Sequence, residues 1–325
     1  MGLLELRLSM AATLAIIIGL STLVLTGVLF LLGIFDIITL GIIVVVINLV
    51  QWLVAPYLVG AMYKVRKISE SENPQLHQIV SNLSQKCGIS KPQLMLAQIP
   101  IPNAFAYGSP LSGSRVAVTS GLLTTLNTGE VEAVLGHELG HLRHHDVQVM
   151  MAASFLPALF MYVGYSMMFS STVGGNRKGG GNSALIGIAF MGFSWLLTLF
   201  TLKLSRLREY YADRNSASVV ENGATKLSTG LAKIVMATKK PGSQGFQQRG
   251  QQQNINAFKS LFITDPDRAA SDQAALRNID ASNMVDDILS RKITSEDKLK
   301  EALSTHPNIV KRLRVLQKLS QNPNA

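Results

Sequence analysis

The sequence predicts an α-helical integral membrane protein with four transmembrane helices and a mixed α+β polar domain. Three observations carry this. Charged residues are sparse, 15% of 325 positions. They are absent from four runs at least as long as the ~20 residues that cross a bilayer. Between and after those runs lie polar stretches whose apolar residues recur at helical or alternating spacing.

The first uncharged run lies between Arg7 and Asp36, and the second goes from Ile37 to Tyr63. They read as a hairpin of two spans joined by a tight turn at Asp36, so that residues 1–63 form one unit. A cleaved signal peptide is the rival for the first run. That run is too long for a signal's apolar core, and a second span follows at once. The third run goes from Val147 to Thr172, the fourth from Ser183 to Leu202, with the glycine-rich GGNRKGGGN between them. Residues 147–202 read as a second transmembrane hairpin, the rival being a buried hairpin of a soluble protein.

Charge orients the spans. Arg7, Lys64, Arg66, Lys67, Arg143, Lys203, Arg206 and Arg208 fall on one side, and Asp36, Arg177 and Lys178 on the other. The positive-inside rule puts the N-terminus and both polar segments, 64–146 and 203–325, in the cytoplasm. The net charge of +10 then points to anionic lipid rather than nucleic acid. The single cysteine, Cys87, excludes an internal disulfide.

In the first polar segment, NPQLHQIVSNLSQKCG puts Leu76, Ile79, Val80, Leu83 and Cys87 on one helical face, with His77 on the polar face and Gly88 as the stop. PQLMLAQ, NAFAYG and SRVAVTSG are short β-type runs separated by Pro and Gly. NTGEVEAVLGHELGHLRHH opens a helix with Asn127 or Thr128 as cap. Beyond the fourth span, 203 to about 238 reads as a helix. KKPGSQGFQQRGQQQNIN reads as a flexible glutamine-rich loop, and about 269–320 as amphipathic helix.

The chemistry is concentrated in GHELGHLRHHD, Gly136 to Asp146. His137 and His141 are four apart and share a helix face, with Glu138 beside them. This is the H-E-x-x-H pattern, two imidazole ligands for zinc and a carboxylate placed to take a proton from water. Composition alone would give the pattern in roughly 0.003 of such chains, so context must decide. A hydrolytic zinc needs a third protein ligand. His141 lies about six residues before the third span and Glu209 about six after the fourth. An antiparallel hairpin would hold both roughly 9 Å above the membrane boundary at 1.5 Å per residue. Glu209 is therefore the expected third ligand. Asp213, one turn on, is placed to hydrogen-bond the distal nitrogen of a ligating histidine. The competing readings are a solvated ion pair of Glu209 with Arg206 or Arg208, and a similar surface pair for Asp213. The histidine pair tips the balance to the metal. His144 and His145 read as interfacial or structural, because a third ligand from the same helix strains tetrahedral geometry.

HELGH, then two spans, then SRLREYYAD resembles the HtpX-type membrane metalloproteases, relatives of the CAAX prenyl proteases. The resemblance covers nearly the whole chain. It implies a zincin-like catalytic domain with one Zn2+ per chain, held by His137, His141 and Glu209 of the E-x-x-x-D segment, with Glu138 as general base. NAFAYG resembles the family's edge strand, which implies that Asn103, Ala104, Phe105 and Ala106 pair with an extended substrate backbone; an ordinary core strand is the alternative. THPNIVKRL resembles the family's H-P-x-x-x-x-R segment, which implies that His306 donates a hydrogen bond to the oxyanion. Helix capping or packing is the alternative there.

The expected function is a zinc endopeptidase of a prokaryotic-type inner membrane, acting on polypeptides, with quality control of membrane proteins implied by the resemblance. The alternatives are a CAAX-type prenyl peptidase and a non-catalytic membrane adaptor with a relict metal site. The count of four spans disfavours the first and the intact Glu138 disfavours the second. A transporter is disfavoured too, since no ionisable group falls within the spans. Oligomeric state leaves no mark in the sequence.

Overall fold

A computed structural model describes residues 37–173, 180–237 and 284–322. Helix α1 (Ile37–Met62) occupies the second predicted span. The first predicted span, most of the glycine-rich linker and the glutamine-rich loop lie outside the described residues.

Four strands follow the predicted β runs and add one. They are β1 (Val65–Lys67), β2 (Gln93–Ala97), β3 (Ala104–Ser109) and β4 (Gly113–Thr119), in the order β1-β2-β4-β3. β2 runs parallel to β4, while β1–β2 and β3–β4 are antiparallel. β1 carries no alternation for a sequence reading to find, because it is three residues long, one half-buried and two exposed. β3 lies at the end of the sheet, with one edge unpaired by any strand among the described residues.

Helix α2 (Pro74–Cys87) starts at Asn73, whose Oδ1 accepts from Leu76 N, and stops at Gly88 with φ +67°. It buries Leu76, Val80, Leu83 and Cys87 in the main core. His77 departs from its predicted polar face. It is 8% exposed, with Nε2 3.0 Å from Ile68 O, because the chain leaving β1 passes over it. Helix α3 (Ser120–Thr125) leads to α4 (Thr128–Arg143). α4 is fixed at its start by a capping box: Asn127 Oδ1 accepts from Glu130 N, and Glu130 Oε2 accepts from Asn127 N, both at 2.9 Å.

Helix α5 (Asp146–Val173) and helix α6 (Gly180–Val219) follow. Among the described residues, Asp146–Tyr165 and Ser183–Val219 are the two helical stretches long and apolar enough to cross a membrane. α6 runs unbroken from its apolar part into polar sequence and ends at Val219. A turn at Asn222 (φ +53°) then starts α7 (Gly223–Ala237), so the single helix expected over 203–238 is two. α8 (Met284–Ser290), α9 (Ser295–Ala302) and α10 (Ile309–Gln321) complete the described chain.

The described residues form two compact units. One takes in 53–147 and the residues from 206 onward. Its core joins α2, the inner sheet face, α4, α7 and α10 through Leu83, Val116, Leu135, Leu139, Leu231 and Leu313. The last turns of α1 belong to it, because Val59 and Tyr63 are buried with Met95, Phe105 and Tyr107 on the other sheet face. The second unit takes in 37–52 and 148–205. There α5 and α6 pack through Phe160, Phe190 and Leu197. Pro157 lacks an amide for the Ala153 carbonyl one turn back. Thr201 Oγ1 on α6 donates to that carbonyl at 3.3 Å, the kind of repair an apolar surrounding requires.

Candidate metal centre

Two glycines in GHELGH decide how close α4 comes to α6. A Cβ on Gly140 would lie 3.0 Å from Asn215 Cβ and 3.1 Å from Ala212 Cα, and one on Gly136 3.0 Å from Val220 Cγ2. The approach is pinned by Asn215 Nδ2 donating to Gly136 O at 2.8 Å and Ser216 Oγ to Ala133 O at 2.6 Å. It sets Glu209 of α6 opposite the histidines of α4.

His137 Nε2 and His141 Nε2 face each other at 3.2 Å. Glu209 Oε2 lies 3.5 Å from the first, and Oε1 3.5 Å from the second. A tetrahedral ion with bonds of ~2.0–2.1 Å to nitrogen and oxygen needs donors roughly 3.3–3.4 Å apart; the two imidazole nitrogens lie close to that spacing, each has one Glu209 oxygen at a similar distance, and one donor atom from each residue falls within 4.8 Å of the others. His137 and Glu209 are buried and His141 half-buried. Glu209 Oε2 is buried 3.2 Å from Arg312 Nη1 but without hydrogen-bond geometry, so it retains accepting capacity toward the histidines. Four buried carboxylates (Glu138, Asp146, Glu209, Asp213) surround the point, with two buried guanidinium groups (Arg208, Arg312). Buried charge without compensation is costly, and a divalent cation would balance the excess. The donor set therefore fits a metal ion.

The outward nitrogens of both histidines meet carboxylates. His137 Nδ1 lies 2.9 Å from Asp213 Oδ1, and His141 Nδ1 2.5 Å from Asp146 Oδ2. Each carboxylate is held in turn by an arginine. Arg312 clamps Asp213 with Nε at 2.9 Å and Nη2 at 2.5 Å. Arg208 Nη2 lies 2.8 Å from Asp146 Oδ2. Burial alone would lower the His137 pKa, but the Asp213 and Glu209 carboxylates beside its ring raise it to about 10.

Glu138 is 4% exposed. Its pKa is raised from its ordinary value by burial, against the pull of the two imidazoles. Its Oε2 accepts from Ala106 N at 2.9 Å, on the outer edge of β3. Strand parity sorts that edge. Thr119 N donates to Asn103 O, so Asn103, Phe105 and Tyr107 turn their backbone groups toward β4, while Ala104, Ala106 and Gly108 turn theirs outward. The Phe105 ring packs with Tyr63 and Tyr107 at 5.6 and 5.5 Å on the face away from α4. Asn103 is buried, its amide donating to Thr119 Oγ1 at 2.9 Å.

His306 arrives on the loop before α10. Its Nε2 lies 3.8 Å from Glu209 Oε1 and its Nδ1 3.0 Å from Thr305 Oγ1. Arg206 Nη1 fastens that loop by donating to Ala302 O at 3.1 Å and Ser304 O at 2.7 Å.

A family model for Peptidase family M48 matches residues 70–320. The chain belongs to peptidase family M48. M48 members are metal-dependent peptidases, and this chain is a metallopeptidase. It is similar to the protease HtpX homolog of Thermoplasma acidophilum, 38% identical over 280 residues, 86% of this chain and 84% of that one. The Picrophilus torridus HtpX homolog is 45% identical over 203 residues, 62% of this chain and 65% of its own. The crystal structure of S. mikatae Ste24p aligns with a TM-score of 0.51 at 18% identity, over 96% of this chain and 67% of that one, a likeness of fold.

In this M48 chain, His137, His141 and Glu209 converge, with Glu138 and His306 beside them. His144 and His145 do not reach the donors. His144 Nδ1 lies 2.7 Å from Gly140 O with its ring edge-on to Tyr211, and His145 closes the helix at φ +53°. Asp146, Arg208 and Arg312 were missed as supports. Their signals were faint: an acid on the first turn of a span, and an arginine beside each supported carboxylate's helix or in the H-P-x-x-x-x-R spacing.

Proposed function

We propose that the chain is a zinc endopeptidase of a prokaryotic-type inner membrane that acts on membrane or misfolded proteins. In this reading it has four spans, with residues 1–63 and 147–202 as hairpins and a catalytic domain of 64–146 and 203–325 facing the cytoplasm. The observation that carries the chemistry is the convergence of the His137, His141 and Glu209 donor atoms beside the Glu138 carboxylate.

His137, His141 and Glu209 hold the ion, and Asp213, with Oδ1 2.9 Å from His137 Nδ1, orients that ring. When bound, zinc supplies Lewis acidity and makes water nucleophilic near neutral pH. Glu138, with Oε2 occupied by the Ala106 amide, takes the proton of the attacking water on Oε1 and delivers it to the leaving amine. A Thr305 hydroxyl donating to Nδ1 leaves the His306 proton on Nε2, which then donates to the developing oxyanion. The outward backbone groups of Ala104 and the outward carbonyl of Ala106, whose amide is held by Glu138, pair with an extended substrate, and Asn103 and Phe105 support that strand from within the sheet.

The test is Glu138→Gln in purified protein with casein or a membrane protein as substrate. Zinc retained with cleavage lost supports the reading. Cleavage at the wild-type rate overturns it.

A further inference from the structure

The hairpin joining β3 to β4 exposes apolar side chains and buries polar ones. Leu111 is 69% exposed, the most exposed large apolar side chain among the described residues, and Pro110 beside it is exposed too. Ser109 and Ser112 are each 7% exposed. Ser109 N donates to Ser112 Oγ at 2.9 Å, Ser112 N lies 3.3 Å from Ser109 Oγ, and Ser112 Oγ donates to Gly113 O at 3.1 Å. Gly113 closes the turn at φ +68°, which glycine adopts without strain. A turn facing water gains nothing by hiding its hydroxyls behind a bare leucine. A turn entering lipid must satisfy its polar groups internally.

The hairpin stands beside α1, with Ser109 Oγ 3.5 Å from Leu53 O. On α1, Val46, Val50, Val54, Tyr57 and Leu58 are all exposed at three- and four-residue spacing, so they form one apolar stripe. The Arg115 guanidinium sits 5.9 Å from the Tyr57 ring centre and 6.0 Å from that of Tyr107, and Lys64 and Lys67 are exposed just beyond the helix. Tyrosine with snorkelling cations is the signature of a headgroup boundary. Leu53 lies one turn, about 6 Å, nearer the bilayer centre than Tyr57.

We propose that Pro110 and Leu111 insert into the headgroup–acyl boundary of the bilayer that α1 crosses, anchoring the free edge of β3 at the membrane surface. The proposal rests on the reading of α1 as a span. It gives the outward Ala104 backbone and the Ala106 carbonyl a role: they meet a substrate segment, already extended, where it leaves the lipid.

The test uses full-length protein in phosphatidylcholine–phosphatidylglycerol vesicles. An environment-sensitive fluorophore is attached at Leu111→Cys, at Val50→Cys on the α1 stripe, and at Glu296→Cys as a water reference; unsubstituted protein controls for the buried Cys87. The expected result is blue-shifted emission at 111 and 50, quenched by nitroxide lipids, with 296 unquenched. Lipid at 50 but water at 111 overturns the anchor and leaves the span standing. Water at both overturns span and anchor together. Blue-shifted but unquenched emission at 111 assigns the tip to a protein neighbour and also overturns the anchor. As a functional arm, Leu111→Asp should slow cleavage of a membrane-embedded substrate roughly tenfold, the factor that losing one leucine's burial implies, with casein cleavage unchanged. Equal loss on both substrates overturns the proposal.

Discussion

Asp146, the first residue of α5, holds His141 from behind, with Oδ2 2.5 Å from Nδ1. The turn through His144 and His145 is what brings a residue five positions on back to the ring. The segment after HELGH is thus part of the centre's support. Losing such a partner typically costs 10–100-fold in metal affinity. Asp146→Ala is expected to weaken zinc binding by about that factor, read by chelator competition, with helix content unchanged. Asp146→Asn, which keeps an acceptor, should recover part of the loss.

Arg312 presents a buried charge problem. It is 1% exposed and clamps Asp213, itself 0% exposed. Arg312→Met would leave a buried carboxylate without its counter-charge, at about 3–5 kcal/mol. A marked fall in the thermal midpoint in detergent is expected. Arg312→Lys should restore little of it, because an ammonium lacks the two-pronged geometry.

Gly140→Ala adds a methyl where the nearest atoms already stand at 3.0 and 3.1 Å. Overpacking of this kind costs about 1–3 kcal/mol. The expected result is a lower thermal midpoint together with reduced zinc affinity, since the displaced helix carries Glu209. Full zinc affinity in this variant would contradict the close-approach account.

Proton competition sets the pH dependence of metal binding. In the metal-free site His137 is raised to about 10, so near neutral pH it carries a proton that an incoming ion must displace. Apparent zinc affinity should therefore rise with pH between 6 and 9, by about tenfold per unit for this one proton. Proton release on zinc addition, measured in weak buffer, checks it. Affinity independent of pH would contradict the buried carboxylate–histidine arrangement.

The strongest features of this chain were legible for physical reasons. Helical spacing forces His137 and His141 onto one face, and the uncharged runs on either side give Glu209 a similar register. The helix ending at Gly88 and the strands around NAFAYG followed from period and punctuation. What stayed hidden was long-range or too short to have a period. β1 has three residues. The turn at Asn222–Gly223 interrupts a stretch whose spacing reads as one continuous helix. His77 looked polar-faced because a one-dimensional pattern cannot show the chain that folds over it. Asp146 and Arg312 act across folds of the chain, and Gly136 and Gly140 matter through the helix they face rather than their own.

The central claim is that Glu209, 72 residues from His137 in sequence, completes the metal site. The direct measurement is zinc per chain by elemental analysis in wild type and Glu209→Ala, purified alike, with cleavage assayed on the same samples. The account predicts about one zinc per chain in the wild type, and near-complete loss of zinc and cleavage in the variant. A full complement of zinc in Glu209→Ala would contradict it.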